Sequence, residues 1–173
     1  HSQKHGIFEK NSVIAKNMKD LQKEYEGDAE YKQYFAFLKQ YLTLNRSELF
    51  FADKAIFIEG DTERILLPAM MKMIDEEHEP EENENYLLSQ NVSIIEVGAY
   101  SHIFEKFMRF IGLRKCLIIT DLDCCKPVEK TDKNGRKTTK YEKAPYDVTD
   151  DNMVTSNASI KSFLKISSIK DIL

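Results

Sequence analysis

The sequence predicts an α/β protein built on a small parallel sheet flanked by helices, and three observations carry that expectation. Lys54–Ile58, Val92–Val97 and Lys115–Thr120 are short, almost unbroken apolar runs, the pattern of strands buried inside a parallel sheet. Residues 63–77 and 101–110, which lie between those runs, repeat their apolar positions at helical spacing. Each run also stops abruptly at Gly or an acid: Glu59-Gly60, Gly98 and Asp121. Strand–helix–strand–helix–strand order implies a parallel sheet covered on both faces, with ligands bound beyond the carboxyl ends of its strands.

Residues 11–44 place Phe35, Leu38, Tyr41 and Leu42 at helical spacing after the turn-like Glu26-Gly27-Asp28. They predict two amphipathic helices whose apolar stripes pack on the core or on a neighbouring domain. The first strand follows, and Gly60 lets the backbone turn. Asp61 or Thr62 is then the expected cap of a helix running from Glu63 to about Glu77. Pro68 is tolerable in that helix if it begins at Arg64 to Leu67, and kinks it if it begins earlier. The acidic run 75–85 reads as a solvated connection. Ser101–Phe110 predicts a helix closed by Gly112. After Asp123 comes a basic loop with a hairpin signal at Asn134-Gly135, and then a helix over about 160–170 capped by Ser156 or Asn157.

With 173 residues, 42% hydrophobic and 31% charged, the chain is about one domain with a real core. It contains no apolar run of the roughly 20 residues that span a bilayer, so no membrane partner and a cytoplasmic location are expected. Cys116, Cys124 and Cys125 suit neither a disulfide framework nor the spaced pairs of a zinc site. The start at His-Ser suggests a chain excised from something longer. A net charge of −4 excludes bulk electrostatic coating of nucleic acid, but residues 126–143 hold seven Lys/Arg against three acids. Lys126, Lys130, Lys133, Arg136 and Lys137 are therefore candidate DNA contacts. His1, His5, His78 and His102 are assigned no catalysis.

Glu59 closes the first strand and Glu63 lies one helical turn later, so a turn at Gly60 can aim both carboxylates into one crevice. Asp121 and Asp123 fall on one side of an extended segment. Two like charges about 4 Å apart repel by on the order of 4 kcal/mol at an effective dielectric of 20, so four converging carboxylates would shift their pKa values or bind cations. All-oxygen ligands favour Mg²⁺ or Mn²⁺ over zinc, and a pair of such ions serves in-line phosphoryl displacement. Singly, an Asp-x-Asp is a common turn and a Glu-Gly says little. Their joint placement is the signal.

Segments 46–69, 93–113, 116–123 and 155–164 resemble, in that order, the Toprim domain of the OLD (overcoming lysogenisation defect) family of nucleases, which includes the nuclease subunit of the Gabija anti-phage system. The resemblance implies a Toprim fold and divalent-metal-dependent DNA cleavage with two Mg²⁺ or Mn²⁺ ions. Glu59, Glu63, Asp121 and Asp123 match the family's acids, Gly60 and Gly98 its strand-end glycines, and Ser156 and Asn157 its Thr-Ser-Asn segment near the metals. Other Toprim enzymes include primases and topoisomerases, but the acid four residues after the first Glu is similar to the nuclease branch, and no nucleophilic Tyr is singled out. The family places an ATPase domain N-terminal to the Toprim domain, yet this chain lacks a Gly-x-x-x-x-Gly-Lys-Ser/Thr loop. ATP would then act only through an ATPase domain outside this chain. Residues 1–45 are expected to lead toward that domain and 46–173 to form a C-terminally truncated Toprim domain. The implied partners are DNA, that ATPase domain, and a second copy or a defence protein. The family's downstream Lys is not assigned to Lys161, Lys165 or Lys170. The competing expectation is an inactive interaction module docking on an ATPase or partner subunit.

Overall fold

The computed structural model describes residues 15–26, 29–44, 47–78, 85–131, 133 and 135–173. The turn at Gly27, residues 79–84 of the acidic run, Asn134, and residues 1–14 with His1 and His5 lie outside the described residues.

Three parallel strands form the expected sheet. Strand β1 (Lys54–Ile58) lies between β2 (Val92–Glu96) and β3 (Lys115–Ile118). Phe57 stands opposite Ile95 and Ile118, whereas Ile56 stands opposite Ile94 and Leu117, so period-two alternation sorts these side chains onto two faces. On the first face Ala55, Phe57 and Ile95 are buried in the main core. Helix α1 (Met18–Glu24), helix α2 (Ala29–Leu44) and α4 (Glu105–Ile111) supply its other side through Leu21, Tyr25, Leu38, Leu42 and Phe107. The two N-terminal helices thus share one core with the sheet.

Phe104 is the hub of that core. Its fully buried ring meets those of Tyr41, Phe57 and Phe37 at centroid distances of 5.1, 5.5 and 6.3 Å. The buried Tyr25 hydroxyl donates to the Ile103 carbonyl at 2.9 Å, which pins α1 to the segment before α4. Phe104→Ala is expected to lower the unfolding free energy by about 3–5 kcal/mol. Urea denaturation would show it as an earlier midpoint at an unchanged slope.

The other face of the sheet departs from the sequence expectation. Helix α3 (Asp61–Glu77) runs along it but contributes no buried residue. Ile65, Leu66, Met70, Met73 and Ile74 are exposed, as is Leu117 on β3. Among the described residues this face is only partly covered, because a single amphipathic helix cannot close a three-stranded surface.

Helix boundaries also moved. Helix α3 is capped by Gly60, not by Asp61 or Thr62, and the Glu63 carboxylate reaches back to the Gly60 N–H at 3.1 Å. The helix starts earlier than expected, yet it continues through Pro68 to Glu77. Gly98–Phe104 is a 3-10 helix leading into α4, which Gly112 closes at φ +82°. The single helix expected at 160–170 is two, α5 (Ala158–Leu164) and α6 (Ile169–Ile172), because Lys165 turns left-handed at φ +58°.

The basic segment is an antiparallel hairpin of β4 (Cys124–Thr131) and β5 (Lys137–Lys143), with Gly135 at φ +76° in its turn. Strand β4 also pairs with β6 (Val154–Thr155), which makes a second small sheet beside the carboxyl end of β3.

Candidate metal centre

The acids gather where β1 and β3 end. Glu59 follows the last residue of β1, and its Oε1 accepts from the Thr120 hydroxyl, from Asn157 Nδ2 at 2.8 Å and from the Asp121 backbone N–H at 3.3 Å. Asn157, 1% exposed, is the joint of the site. Its amide nitrogen also points at Thr120 Oγ1 (2.7 Å) and the Asp121 carbonyl (3.0 Å), while its Oδ1 caps α5 by accepting from the Ser159 and Ile160 N–H groups. One side chain therefore ties the ends of two strands to the start of a helix. Ser159 secures that helix from behind, with its hydroxyl bonded to Ser101 at 2.7 Å and to the Ala99 carbonyl at 3.0 Å.

The chain leaves β3 as irregular backbone, and Asp121–Asp123 is not the extended segment expected. Asp123 sits at φ +47°, the left-handed region that Asp enters more readily than most residues. Its carbonyl accepts from the Ser156 N–H (2.9 Å) and hydroxyl (3.2 Å), and the buried Thr155 hydroxyl holds the Leu122 carbonyl at 2.5 Å. Strand alternation therefore does not explain why Asp121 and Asp123 are neighbours; this bonded turn does.

Asp121 reports the crowding. Partial desolvation, then Glu59, Glu63 and Asp123, hold its carboxyl above the usual carboxylate range, and Lys143 opposes them. Lys143 Nζ lies 3.2 Å from Asp123 Oδ1, delivered there by the pairing of Lys143 with Cys125 across the hairpin. Glu63 binds the Gly60 N–H through Oε2.

Among the described residues no three acidic, histidine or cysteine side chains form a ready cation cage. Glu59, Glu63 and Asp123 each turn one oxygen to a protein donor: Thr120 and Asn157, the Gly60 N–H, and Lys143. Glu59 Oε2, Glu63 Oε1, Asp123 Oδ2 and both Asp121 oxygens still have no hydrogen-bond donor among the described residues. The donor set, four carboxylates with spare hard oxygens, suits Mg²⁺ or Mn²⁺.

The glycines divide. Gly98 occupies φ +59°, where a side chain would be strained. Gly60 is extended at φ −161°, and an added Cβ would meet Glu63 at an ordinary 3.9 Å, so the conformational freedom expected of it is not required. Thr120, Thr155 and Lys143 were not singled out from sequence. Thr120 stands directly before Asp121 and so carried a signal; Lys143 depends on hairpin register and carried none.

The hairpin places Lys126, Lys130 and Lys140 on one face with Glu142, and Lys137 on the other with Glu129. Lys130 pairs with Glu142 at 2.5 Å and Lys137 with Glu129 at 3.2 Å, whereas Lys126 forms no ion pair among the described residues. Lys133 and Arg136 flank its exposed tip. His102 lies on the 3-10 helix with its Nδ1 3.3 Å from the Ser159 hydroxyl. The three cysteines are free thiols, and no described helix is long and apolar enough to cross a membrane.

Comparison with known proteins finds a family match over the segment that holds the four acids. Residues 50–123 match the family model described as "Overcoming lysogenization defect protein-like, TOPRIM domain". The chain is also similar to "Endonuclease GajA" of Bacillus cereus (strain HuB5-5), at 32% identity over 93 residues. That match covers 53% of this chain but 12% of the relative's length. No solved structure gives a significant match. The parallel sheet flanked by helices, the acids at its strand ends and the family match together identify residues 50–123 as an OLD-like Toprim domain.

Proposed function

We propose that this domain is a divalent-metal-dependent endodeoxyribonuclease centre in which Glu59, Glu63, Asp121 and Asp123 hold two Mg²⁺ or Mn²⁺ ions. The observation that carries the proposal is the meeting of Glu59 and Asp121 at the ends of β1 and β3 within the Toprim segment, where the Asp121 N–H and the Asn157 amide both bond Glu59 Oε1. Bound cations would supply a hydroxide nucleophile and neutralise the charge that develops on a phosphodiester. The chain's own groups do the positioning. Asn157 and Thr120 hold one Glu59 oxygen, and the other, with no donor among the described residues, would be available to a ligand. Ser156 fixes the turn that presents Asp123, and Gly98 shapes the end of β2 beside the site. Of the hairpin's candidate phosphate contacts, Lys126 and Lys130 would act from one face, Lys137 from the other, and Lys133 and Arg136 from the tip.

We further infer that the domain works within a larger ATPase–Toprim protein in anti-phage defence, with residues 1–45 leading toward the ATPase part and nucleotide acting only there. Support comes from similarity to a relative named as an endonuclease, of which the match spans 12%. The test is nicking of supercoiled plasmid with Mg²⁺, Mn²⁺ or EDTA, paired with Mn²⁺ calorimetry. Metal-dependent nicking by the wild type that is lost in Asp121→Ala is the expected result. A wild-type chain that neither nicks nor takes up Mn²⁺ would instead favour an interaction module with structural carboxylates.

A further inference from the structure

A second cationic surface begins beside Asn157. Helix α5 starts at the next residue, and Ala158, Lys161 and Lys165, spaced by three and four, line one cleft of about 450 Å³. The opposite wall comes from α4 and the N-terminal helices, with Lys106, Tyr31 and Tyr34. Among the described lining residues Glu105 is the one acid, against Lys106, Lys161 and Lys165, and it is already bound to Arg109 at 2.6 Å. Lys161 and Lys165 form no ion pair among the described residues, and both are exposed. Tyr31 is 42% exposed and held in place, with Lys106 Nζ 4.1 Å from its ring centre and Tyr34 packed edge-on at 5.9 Å.

We infer that this cleft binds one or two unpaired nucleotides of the DNA strand next to the cut, with Lys161 and Lys165 on the phosphates and Tyr31 and Tyr34 under the bases. Cations that follow a backbone, interleaved with aromatic rings that accept any base, are the chemistry of single-strand recognition. The volume lies in the range of small-ligand clefts, too small for a duplex. Position supplies the rest. At 1.5 Å rise per residue, Lys161 stands about 6 Å along α5 from Asn157, which touches Glu59, and Lys165 closes the far end of that helix. A strand whose phosphate lies at the carboxylates would meet these lysines within its next nucleotides. The identity of the ligand rests on the nuclease proposal, and it adds a preference: the strand must be unpaired on this side of the cut.

The test is fluorescence anisotropy in EDTA, so that nothing is cleaved, with a labelled single-stranded 12-mer and a blunt duplex of the same sequence. The wild type is expected to bind the single strand more tightly. Lys161→Glu/Lys165→Glu should weaken that binding by about tenfold or more and flatten the log–log salt slope by about 1.4, two phosphates at roughly 0.7 each. Tyr31→Ala should weaken single-strand binding by about fivefold and leave the duplex unaffected. Lys161→Ala/Lys165→Ala provides a milder variant, and Mn²⁺ calorimetry on each variant reports whether the fold and the carboxylate site are intact. Unchanged affinity and slope in both lysine variants would overturn the proposal, as would a duplex bound as tightly as the single strand. The two proposals fail separately: a wild type that takes up no Mn²⁺ but holds the 12-mer through these lysines would remove the nuclease and keep the cleft.

Discussion

Asp121→Asn is expected to melt at a higher temperature than the wild type in metal-free buffer at neutral pH, and to lose the stabilisation that Mn²⁺ confers. Folding brings Asp121 beside Glu59, Glu63 and Asp123 and raises its pKa, so the folded state disfavours its charged form. The sign follows from linkage. Relative to the unfolded chain, a raised carboxyl favours the fold at pH values where it is protonated, and this advantage is lost as pH rises through its folded pKa. The neutral amide removes the penalty present at neutral pH, so the variant's advantage should shrink as pH falls and Asp121 takes up its proton. Metal reverses the order. At about 100 times its dissociation constant, Mn²⁺ should add about 2.7 kcal/mol to the wild type, or about 5–10 °C for a chain of this size. Removing a ligand should cost more than the 10–100-fold in affinity typical of the groups that merely orient ligands. Thermal melts with and without Mn²⁺ across acidic to neutral pH check both parts. A variant that melts below the wild type without metal would overturn the crowding of Asp121, and one that gains equally from Mn²⁺ would overturn its proposed role as a ligand.

Asn157→Ala is expected to damage stability and site together. Its Oδ1 caps α5, and losing such a cap costs about 1 kcal/mol. Its buried amide also serves Glu59, Thr120 and the Asp121 carbonyl, and stripping that donor leaves acceptors without a partner at a further cost of about 1–3 kcal/mol. The sum, about 2–4 kcal/mol, corresponds to a fall of roughly 5–15 °C in melting temperature. Mn²⁺ affinity should fall by about 10–100-fold, because Glu59 is no longer held. Asn157→Ser separates the two roles. A serine restores the cap but cannot reach Glu59, so melting temperature should recover in part while Mn²⁺ affinity should not. Equal recovery of both would mean that the amide acts only through the helix.

The strands and the acids at their ends were legible for one reason: both are local. Ile56-Phe-Ile58 and Leu117-Ile118 read as buried strands because apolar continuity is written in consecutive residues. Glu59, Glu63 and Asp121 could be placed from the strand ends alone. The caps of α3 and α5 show the limit. Asn157 was one of two candidates, and it proved to be the cap because its side chain is buried against Glu59. For α3 neither candidate was right, since the Glu63 carboxylate can satisfy the Gly60 N–H without a capping side chain.

By itself, then, the sequence determined the parallel α/β order, the acids that close its strands and the basic character of the segment after Asp123. Tertiary structure alone decided that Asp123 sits left-handed with its carbonyl bonded to Ser156, that Lys143 arrives from across a hairpin, and that Asn157 joins Glu59 to α5 from 98 positions away. It also decided that α3 leaves its side of the sheet partly open. Periodicity and composition describe a residue's neighbours along the chain. Charge pairing, buried hydrogen bonds and face coverage depend on which distant backbone groups come to lie within about 3 Å, and that is settled only when the whole core packs.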